Sequence, residues 1–448
     1  MKVAYIVGSF PAPSQTFVAN QIFGVKKCGC DVAIYATDHP AKDVPAAVEV
    51  NALAACTHSI CPPKNYAIRL FRVLGLFVMC GWRAPRVVAR ALNVFQHGRL
   101  AASLWLLHAA LTFVRIGKRE YDIVHAQFGP FGLYALKLIQ VGAIDGALVT
   151  SFRGYDATKD LRTDSRRYIE LFRGGRLFLP VSVSLTRKLV EAGCEPAKIH
   201  VLHSGIDCTK FKYTEPRRSE GQPTQIVSIG RLVEKKGVQY ALEAVAQVIA
   251  SGRAIVYDIV GDGQLRGDLE RLIERLGVAK HVRLIGWKSQ REIIAIMEVS
   301  HVLLAPSVTA GDGDEEGIPN VIKEAMAMGL PVVSTMHAGI PELVTDGISG
   351  FLVPERSVND LAERIMYLCD HPEIWPELSH AARRKVEADF DIGGLSIKLV
   401  DLYKALLKQH GEQAPMASPG SPIVVDAPTT ANSGTDGSPQ PDQRGYGN

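Results

Sequence analysis

Short runs of β-branched and other apolar residues alternate with helix-length segments along most of this chain. A first series of runs lies at residues 3–7, 32–35, 123–126 and 148–151. A second series lies at residues 226–229, 255–260, 282–285, 302–305, 331–334 and 351–353. Because parallel strands need crossover connections, which are usually helices, the alternation predicts an α/β fold with parallel sheets.

The segment between the first two runs of the second series shows helical periodicity. Its apolar residues recur at steps of three or four along one helix face: Val238, Leu242, Val245, Val248 and Ile249. We therefore expect an amphipathic helix that covers a sheet.

The chain is long enough for two domains, with 448 residues of which 47% are apolar. Hydrophobic periodicity stops at residues 212–225, where Pro, Gly and charged residues dominate. We place a linker there, between a first domain at 1–211 and a second that begins at 226. Half of the last 38 residues, 411–448, are Gly, Pro, Ser or Thr, which is typical of a disordered tail.

Charge and cysteine usage narrow the class of protein. Fifty Lys and Arg against 46 Asp and Glu give a formal charge of +4, too slight to favour a nucleic-acid partner. The eight cysteines form no Cys-x-x-Cys pair, which favours reduced thiols in a cytoplasm. The apolar run at 3–7 is too short for a signal peptide, and no run approaches the roughly 18 apolar residues that span a bilayer.

Residues 303–333 hold the densest group of candidate functional residues. A buried strand leads into a Gly- and acid-rich loop and then a helix, and open α/β sheets bind ligands at such strand ends. We place Pro319 at the first helical position, which leaves the amides of Asn320 and Val321 without intrahelical partners. Free amides at the positive end of a helix favour a phosphate.

Glu316 and Glu324 flank the start of this helix. Glu324 lies about five residues inside it, roughly 7.5 Å along the axis. Carboxylates accept hydrogen bonds from sugar hydroxyls, so two of them beside a phosphate site predict a nucleotide-sugar ligand. Taken alone, the two residues are equally consistent with a solvated loop and helix.

A second group is SIGRLVEKKG, residues 228–237, at another strand end. Arg231 and Lys236 would stabilise the negative charge that grows on a leaving diphosphate. An isolated Gly-Arg pair is as often an ordinary surface feature of a βα loop.

At this point the chain resembles a known family. GRLVEKKG, EGIPNVIKE and GLPVVSTMHAGIPELVTDGISGFLVP resemble the C-terminal domain of the retaining GT4-type glycosyltransferases of the GT-B fold. The resemblance covers most of residues 1–410 and is strongest over 226–356. FPAPSQTFVANQI, HAQFGPFG and DGDEEGIPN resemble the exopolysaccharide branch of that family, which includes colanic-acid-type enzymes.

The resemblance implies two Rossmann-like, doubly wound parallel-sheet domains that face each other across a cleft. The second domain would span 226–374, and helices at 375–410 would cross back onto the first. The implied activity is metal-independent, retaining transfer of a hexose from a nucleoside-diphosphate sugar, with no cofactor. The implied acceptor is a saccharide carried on a polyprenyl lipid.

The resemblance also assigns roles to residues. Glu324 would hold the nucleotide ribose, Glu316 would touch the transferred sugar, and Arg231 with Lys236 would bind the diphosphate. The other candidates for donor binding are Gly317, Asn320, Val321, Gly286 and Trp287, the last two at the base pocket.

The chain departs from the family pattern at two places in the first domain. Gln127 stands where many relatives have a His facing the donor sugar, and Arg153 stands where many have a His before Gly-Tyr-Asp. Gln cannot take a proton at neutral pH, which puts a histidine-based role in doubt. The preceding His125 is expected to face the core. The candidates for the acceptor side are Gln127, Arg153, Asp156, Ser14 and Thr16.

Asp312-Gly313-Asp314 looks like the Asp-x-Asp metal site of another transferase fold. Because Arg231 and Lys236 already supply countercharge to a diphosphate, we expect no metal here.

Residues 64–119 contain ten Lys or Arg and no Asp or Glu. Apolar residues lie among Arg69, Arg72, Arg83 and Arg86, which is typical of helices on an anionic membrane. We predict a peripheral contact with the inner face of the plasma membrane. The alternative is that the apolar residues of this segment form the core of the first domain.

Two other classes share this architecture. One is a GT-B epimerase or phosphorylase, and the other is a non-enzymatic, two-lobed sugar-binding protein. The sequence leaves the base and hexose of the donor, the linkage and the oligomeric state open.

Overall fold

The computed structural model describes residues 1–11, 16–39, 53 and 56–412. These residues form two six-stranded parallel sheets. The strands of the first sheet are β1 (Lys2–Val7), β2 (Asp31–Ala36), β3 (Thr57–Ser59), β4 (Glu120–Gln127), β5 (Asp145–Phe152) and β6 (Leu177–Pro180). Those of the second are β7 (Thr224–Ile229), β8 (Ile255–Val260), β9 (Val282–Gly286), β10 (Val302–Ala305), β11 (Val332–Thr335) and β12 (Phe351–Val353).

The two sheets have the same strand order. The first runs β3-β2-β1-β4-β5-β6, and the second, from its other edge, runs β9-β8-β7-β10-β11-β12. This is the doubly wound Rossmann order, in which the ligand crevice opens at the carboxyl ends of the central strands. The prediction of two Rossmann-like domains is confirmed, and every predicted run is a strand. The short strands β3 and β6 were not predicted.

Helices cover both faces of each sheet, which is why β1 buries five consecutive residues after Lys2. The helices of the first domain are α1 (Thr16–Lys27), α2 (Tyr66–Cys80), α3 (Pro85–Ala91), α4 (Val94–His97), α5 (Arg99–Ala102), α6 (Trp105–Ile116), α7 (Gly129–Gln140), α8 (Lys159–Thr163), α9 (Ile169–Gly174) and α10 (Val183–Glu191). Those that follow are α11 (Val238–Ala250), α12 (Arg266–Leu276), α13 (Gln290–Glu298), α14 (Asn320–Met328), α15 (Ile340–Leu343), α16 (Val358–Asp370), α17 (Trp375–Asp389) and α18 (Ile392–Glu412).

The amphipathic helix predicted after β7 is α11. Its predicted apolar face is buried at Val238, Leu242, Val245 and Val248, and Ile249 packs against the same core at its edge. Strand β7 begins at Thr224, so the last two residues of the segment predicted as a linker, 212–225, belong to the second sheet.

The predicted crossover segment, 375–410, divides between the two domains. Helix α17 packs on α14, and its Ala382 and Val386 lie in the core of the second domain. Helix α18 returns to the first domain, where it packs against α1. Arg383 of α17 donates to the carbonyl oxygens of Cys208 and Phe211 at the end of the first domain, so α17 contacts both domains. The tail predicted at 411–448 lies outside the described residues from 413 onward.

Tyr403 of α18 completes the core of the first domain. Its side chain is fully buried, and its hydroxyl hydrogen-bonds Nδ1 of His125 and lies 3.2 Å from the hydroxyl of Tyr5. His125 is buried as predicted, and its Nε2 lies 2.8 Å from Oγ of Ser151. Burial lowers the pKa of His125, so the ring is neutral at physiological pH.

Replacing Tyr403 by Phe should destabilise the first domain, because it leaves Nδ1 of His125 buried without this partner. We expect the free energy of unfolding to fall by about 1–3 kcal/mol. Calorimetry would detect this as a drop of about 2–4 °C per kcal/mol in the melting temperature. Tyr367→Phe, at a residue that is 43% exposed, is the control. Equal melting temperatures for the two variants would contradict the prediction.

Candidate functional site

The loops after β5 and β10 meet at the carboxyl ends of the two sheets. A Cβ at Gly317 would lie 2.6 Å from the carbonyl oxygen of Arg153, so the two loops touch through their backbones. The loop after β10 contains residues 311–316, which we call the acidic loop. The acidic loop lies between the first domain and the loop after β7.

Glu316 is the last residue of the acidic loop and lies among cations from the loop after β7. Its Oε1 is 3.1 Å from Nζ of Lys236 and 3.7 Å from Nζ of Lys235. Burial acts to raise the pKa of Glu316, but the two lysines outweigh it and lower that pKa to about 2. The carboxyl is therefore ionised throughout the physiological range.

A glycine makes the approach of these two loops possible. Gly237 follows Lys236 with a φ of +64°, a left-handed conformation that costs a residue with a Cβ energy. A Cβ at this position would also lie 1.9 Å from the carbonyl oxygen of Pro306, in the loop after β10. The Lys-Gly sequence therefore brings the lysine to the acidic loop.

The backbone of Glu316 is fixed by His337, which sequence analysis missed. The amide of Glu316 donates to Nε2 of His337 at 3.1 Å. The other ring nitrogen, Nδ1, lies 2.6 Å from Oε1 of Glu355, and Oε2 of Glu355 accepts the amide of Thr309 at 2.9 Å. Since Nε2 accepts, Nδ1 carries the proton and donates to Glu355. His337 and Glu355 follow the ends of β11 and β12, so the strand-end rule could have found them.

Arg231 and Lys236 occupy different environments. Arg231 is exposed just after β7, and its guanidinium forms no hydrogen bond or ion pair within the described ranges. Lys236 is largely buried in its pair with Glu316. The structure thus brings together two of the three predicted catalytic residues, and it leaves the guanidinium of Arg231 available to a ligand.

Helix α14 begins one residue later than predicted. Pro319 is the N-cap with β-region torsion angles, and Asn320 is the first helical residue. No side chain caps this end, so the first amides of the helix, including those of Asn320 and Val321, have no intrahelical acceptors.

Glu324 projects from α14 into a cavity between the two domains. Thr16 and Phe17 of the first domain line the same cavity, as do Asn320 and Gln290 of the second. Burial raises the pKa of Glu324 to about 7, although the neighbouring lysine, Lys323, opposes this. Thr16, predicted on the acceptor side, therefore lies opposite Glu324, predicted on the donor side.

Gly286 ends β9, where a φ of +74° turns the chain, and Trp287 follows with 64% of its surface exposed. This places Trp287 three residues before Gln290 of the cavity. The structure thus positions both residues at the ligand edge of the second sheet.

The predicted acceptor-side residues form a buried polar network. Arg153 donates from Nε to Oε1 of Gln127, from Nη1 to Oγ of Ser204 and from Nη2 to Oε1 of Gln21, at 2.8–3.0 Å. Its guanidinium also lies 4.7 Å above the ring of Phe17. Burial lowers the pKa of Arg153 to about 10, which leaves it charged at neutral pH.

Asp156 shapes the loop after β5 and is fully buried. Its carboxylate accepts the backbone amides of Gly129, Arg153 and Gly154, each at 3.0 Å. Burial raises the pKa of Asp156, and these amides oppose the rise. Asp156 therefore fixes the backbone of Arg153 from inside the protein.

Ser14, which was also predicted on the acceptor side, lies outside the described residues.

Asp312 and Asp314 each bind a separate lysine. Lys159 lies 2.7 Å from Asp312, and Lys235 lies 3.0 Å from Asp314. Across the residues that the structure describes, no three His, Cys, Asp or Glu side chains group as metal ligands.

Solved structures identify the fold. Anabaena HepE, in complex with UDP and glucose, superposes with a TM-score of 0.66 at 17% identity, over 90% of this chain and 100% of that one. Sucrose-phosphate synthase of Thermosynechococcus elongatus gives 0.67 at 15% identity, over 91% and 100%. The protein has the GT-B fold.

Sequence comparisons identify the family. Residues 15–210 match the family model Glycosyltransferase Family 4, and residues 210–386 match Glycosyl transferases group 1. The putative colanic acid biosynthesis glycosyltransferase WcaL of Escherichia coli is 37% identical over 91% of this chain and 100% of its own length. The amylovoran biosynthesis glycosyltransferase AmsK of Erwinia amylovora is 36% identical over 87% and 96%. The chain belongs to the GT4-type glycosyltransferases.

The raised pKa of Glu324 predicts how nucleotide binding depends on pH. In the ribose-binding role that the resemblance implies for Glu324, a carboxylate accepts hydroxyls better than a neutral carboxyl does, so affinity for a UDP- or GDP-sugar should fall as pH drops below about 7. Calorimetric titration from pH 5.5 to 8.5 would measure this, with Glu324→Gln nearly independent of pH.

Two variants separate Glu324 from other groups that titrate. Burial lowers the pKa of Lys323 to about 7, so Lys323→Met tests whether that lysine causes the effect. Glu298→Gln, at an exposed residue, is the matched control. A wild-type profile as flat as that of Glu324→Gln would remove Glu324 from the ribose site.

Proposed function

We propose that this protein transfers a hexose, with retention, from a nucleoside-diphosphate sugar to a saccharide acceptor in exopolysaccharide synthesis. The observation that carries the proposal is the ionised, buried Glu316 beside Lys236, at the ligand edge of the second sheet. The names of WcaL and AmsK support the pathway, and the UDP and glucose of the HepE complex support the donor class.

The residues divide the chemistry between them. Arg231, exposed and without an internal partner, would receive the diphosphate together with Lys236 and the free amides of α14. Charge that develops on the departing phosphate is stabilised most by cations that are already in place. The ammonium group of Lys236 would then bind the phosphate as well as Glu316. The weaker pairing would leave the Glu316 carboxylate able to accept a hydrogen bond from a hydroxyl of the sugar.

Retention would follow from reaction on the front face of the sugar. Among the carboxylates that the structure describes, Glu316 is held by two lysines and Asp156 is enclosed by three amides, so we assign neither as a nucleophile. The leaving diphosphate itself would then receive the proton of the acceptor hydroxyl. Because Arg231 and Lys236 would neutralise the diphosphate, the reaction would not depend on added metal.

Arg231→Ala and Lys236→Ala should each reduce turnover by at least tenfold. The loss should be on the order of a hundredfold for a cation that contacts the phosphate directly in the transition state. Nucleotide release from UDP- and GDP-sugars, with a lipid-linked saccharide extract as acceptor and EDTA present, would measure it. Lys280→Ala, at an exposed residue of the same domain, is the control. Wild-type rates in both variants would refute the diphosphate assignment.

The same assay separates the competing functions. A sugar-binding protein would bind nucleotide-sugars without releasing nucleotide. A phosphorylase would release sugar phosphate when orthophosphate is added, and an epimerase would convert the sugar without an acceptor. Acceptor-dependent release with the anomeric configuration retained would support the proposed reaction.

We infer that the lipid carrier of the acceptor brings the protein to the inner face of the plasma membrane. Helix α2 buries one face and leaves large apolar side chains outside, with Phe71 76% and Val78 77% exposed. Trp82, in the turn after the helix, is 69% exposed. Such a patch on a monomer marks an interaction site. Since residues 64–119 carry ten cations and no carboxylate, its partner would be an anionic bilayer surface.

The structure corrects part of the membrane prediction. Arg69 is buried and donates to the carbonyl oxygens of Pro63, Lys64 and Ser103, so its guanidinium is held inside the protein and cannot reach lipid. In α6, nine of 12 residues are buried. That helix therefore belongs to the core of the first domain, which was the alternative to membrane contact. No helix within the described ranges has the length and apolarity that a bilayer crossing needs.

The exposed cations Arg72, Arg83 and Arg86 should carry the electrostatic part of this contact. Changing all three to Glu should weaken binding to vesicles with anionic lipid by tenfold or more, since each cation contributes about 1 kcal/mol near such a surface. Sedimentation at low and high salt would measure it.

A triple variant with the same charge change elsewhere is the control: Arg187, Arg275 and Arg291 to Glu. Equal loss of binding in both triple variants would show a general charge effect. No sedimentation of the wild type at low salt would refute the membrane contact.

A further inference from the structure

The acidic loop is balanced by one lysine for each of its four carboxylates. Lys235 and Lys236 of the second domain pair with Asp314 and Glu316. The other two lysines come from the first domain. Lys159 of α8 lies 2.7 Å from Asp312, and Lys188 of α10 lies 2.9 Å from Oε1 of Glu315.

The two contacts from the first domain differ in strength. Lys159 and Asp312 are both about half exposed, so water and salt screen their attraction. The side chain of Lys188 is 32% exposed and that of Glu315 only 14%, which reduces the screening. Lys188 is therefore the stronger link between the first domain and the loop.

Backbone contacts fix the loop at the same place. The amide of Glu315 donates to Oγ1 of Thr158 at 3.4 Å, and Nη1 of Arg162 donates to the carbonyl oxygen of Gly311 at 3.2 Å. The first domain thus contacts both ends of a loop that belongs to the second.

The loop positions a residue of the proposed donor site. Glu316 follows Glu315 directly, so a shift of the Glu315 backbone moves the amide that His337 accepts and the carboxylate that Lys236 binds. An unpaired Glu315 would also add a negative charge beside the site of the diphosphate.

We propose that Lys188 is a positioning residue, supplied by the first domain, that sets the acidic loop and Glu316 for transfer. Because Lys188 and the acidic loop belong to different domains, this contact joins the first domain to the donor site of the second. This inference rests on the proposed function for the role of Glu316. The contact between Lys188 and the loop does not depend on that function.

The test compares Lys188→Ala, Lys188→Arg and the charge exchange Lys188→Glu with Glu315→Lys. We expect Lys188→Ala to reduce kcat by about tenfold or more, because small displacements of positioned groups are costly, while the donor KM changes less than threefold. Lys188→Arg and the charge exchange should recover most of the loss. Lys198→Ala is the control, since Lys198 pairs with the exposed Glu195 in the same domain.

Amide hydrogen exchange over residues 311–316, without substrate, gives a second readout that needs no activity. Exchange should be several-fold faster in Lys188→Ala and return to the wild-type rate in the charge exchange. Unchanged exchange, or a kcat loss that neither rescue variant reverses, would overturn the proposal. If exchange is faster in Lys188→Ala but the wild-type protein has no transferase activity, the contact stands and the proposed function is refuted instead.

Discussion

The burial of one carboxylate organises this site. Glu316 can be ionised inside the protein only because Lys235 and Lys236 offset the cost of removing it from water. Lys236 reaches it only because Gly237 lets the loop after β7 touch the loop after β10. The amide of Glu316 in turn recruits His337 from the end of β11. Loops that follow three strands, β7, β10 and β11, therefore meet at the single charged side chain of Glu316.

The fold could be predicted further than the site. Buried parallel strands leave runs of apolar residues that are readable one segment at a time, so even the helix between β7 and β8 was placed correctly. Strand β3 is Thr-His-Ser and has no apolar run, while β6 ends in Pro180, which weakens a strand signal. Glu316 and Lys236 were predicted because motif and strand end coincide. Lys188 carries no local signal, since its partner lies 127 residues away.

The basic segment of the first domain shows why composition alone misleads. Helices α2 and α6 both lie in this basic, apolar segment, yet α2 presents Phe71 and Val78 to solvent while α6 is core. Arg69 is also misread, because an arginine whose guanidinium binds three carbonyl oxygens looks the same in sequence as an exposed one. Only the packing of α2 against α6 distinguishes these cases.

The return of α18 to the first domain has a consequence for synthesis on the ribosome. Tyr403 fills the core beside His125 from 278 residues farther along the chain, so the domain translated first lacks part of its interior until α18 has been made. The second domain, whose strands run from Thr224 to Val353, can fold while its predecessor is still incomplete. The face of α1 that α18 covers in the finished protein therefore stays uncovered until the last helix has been made.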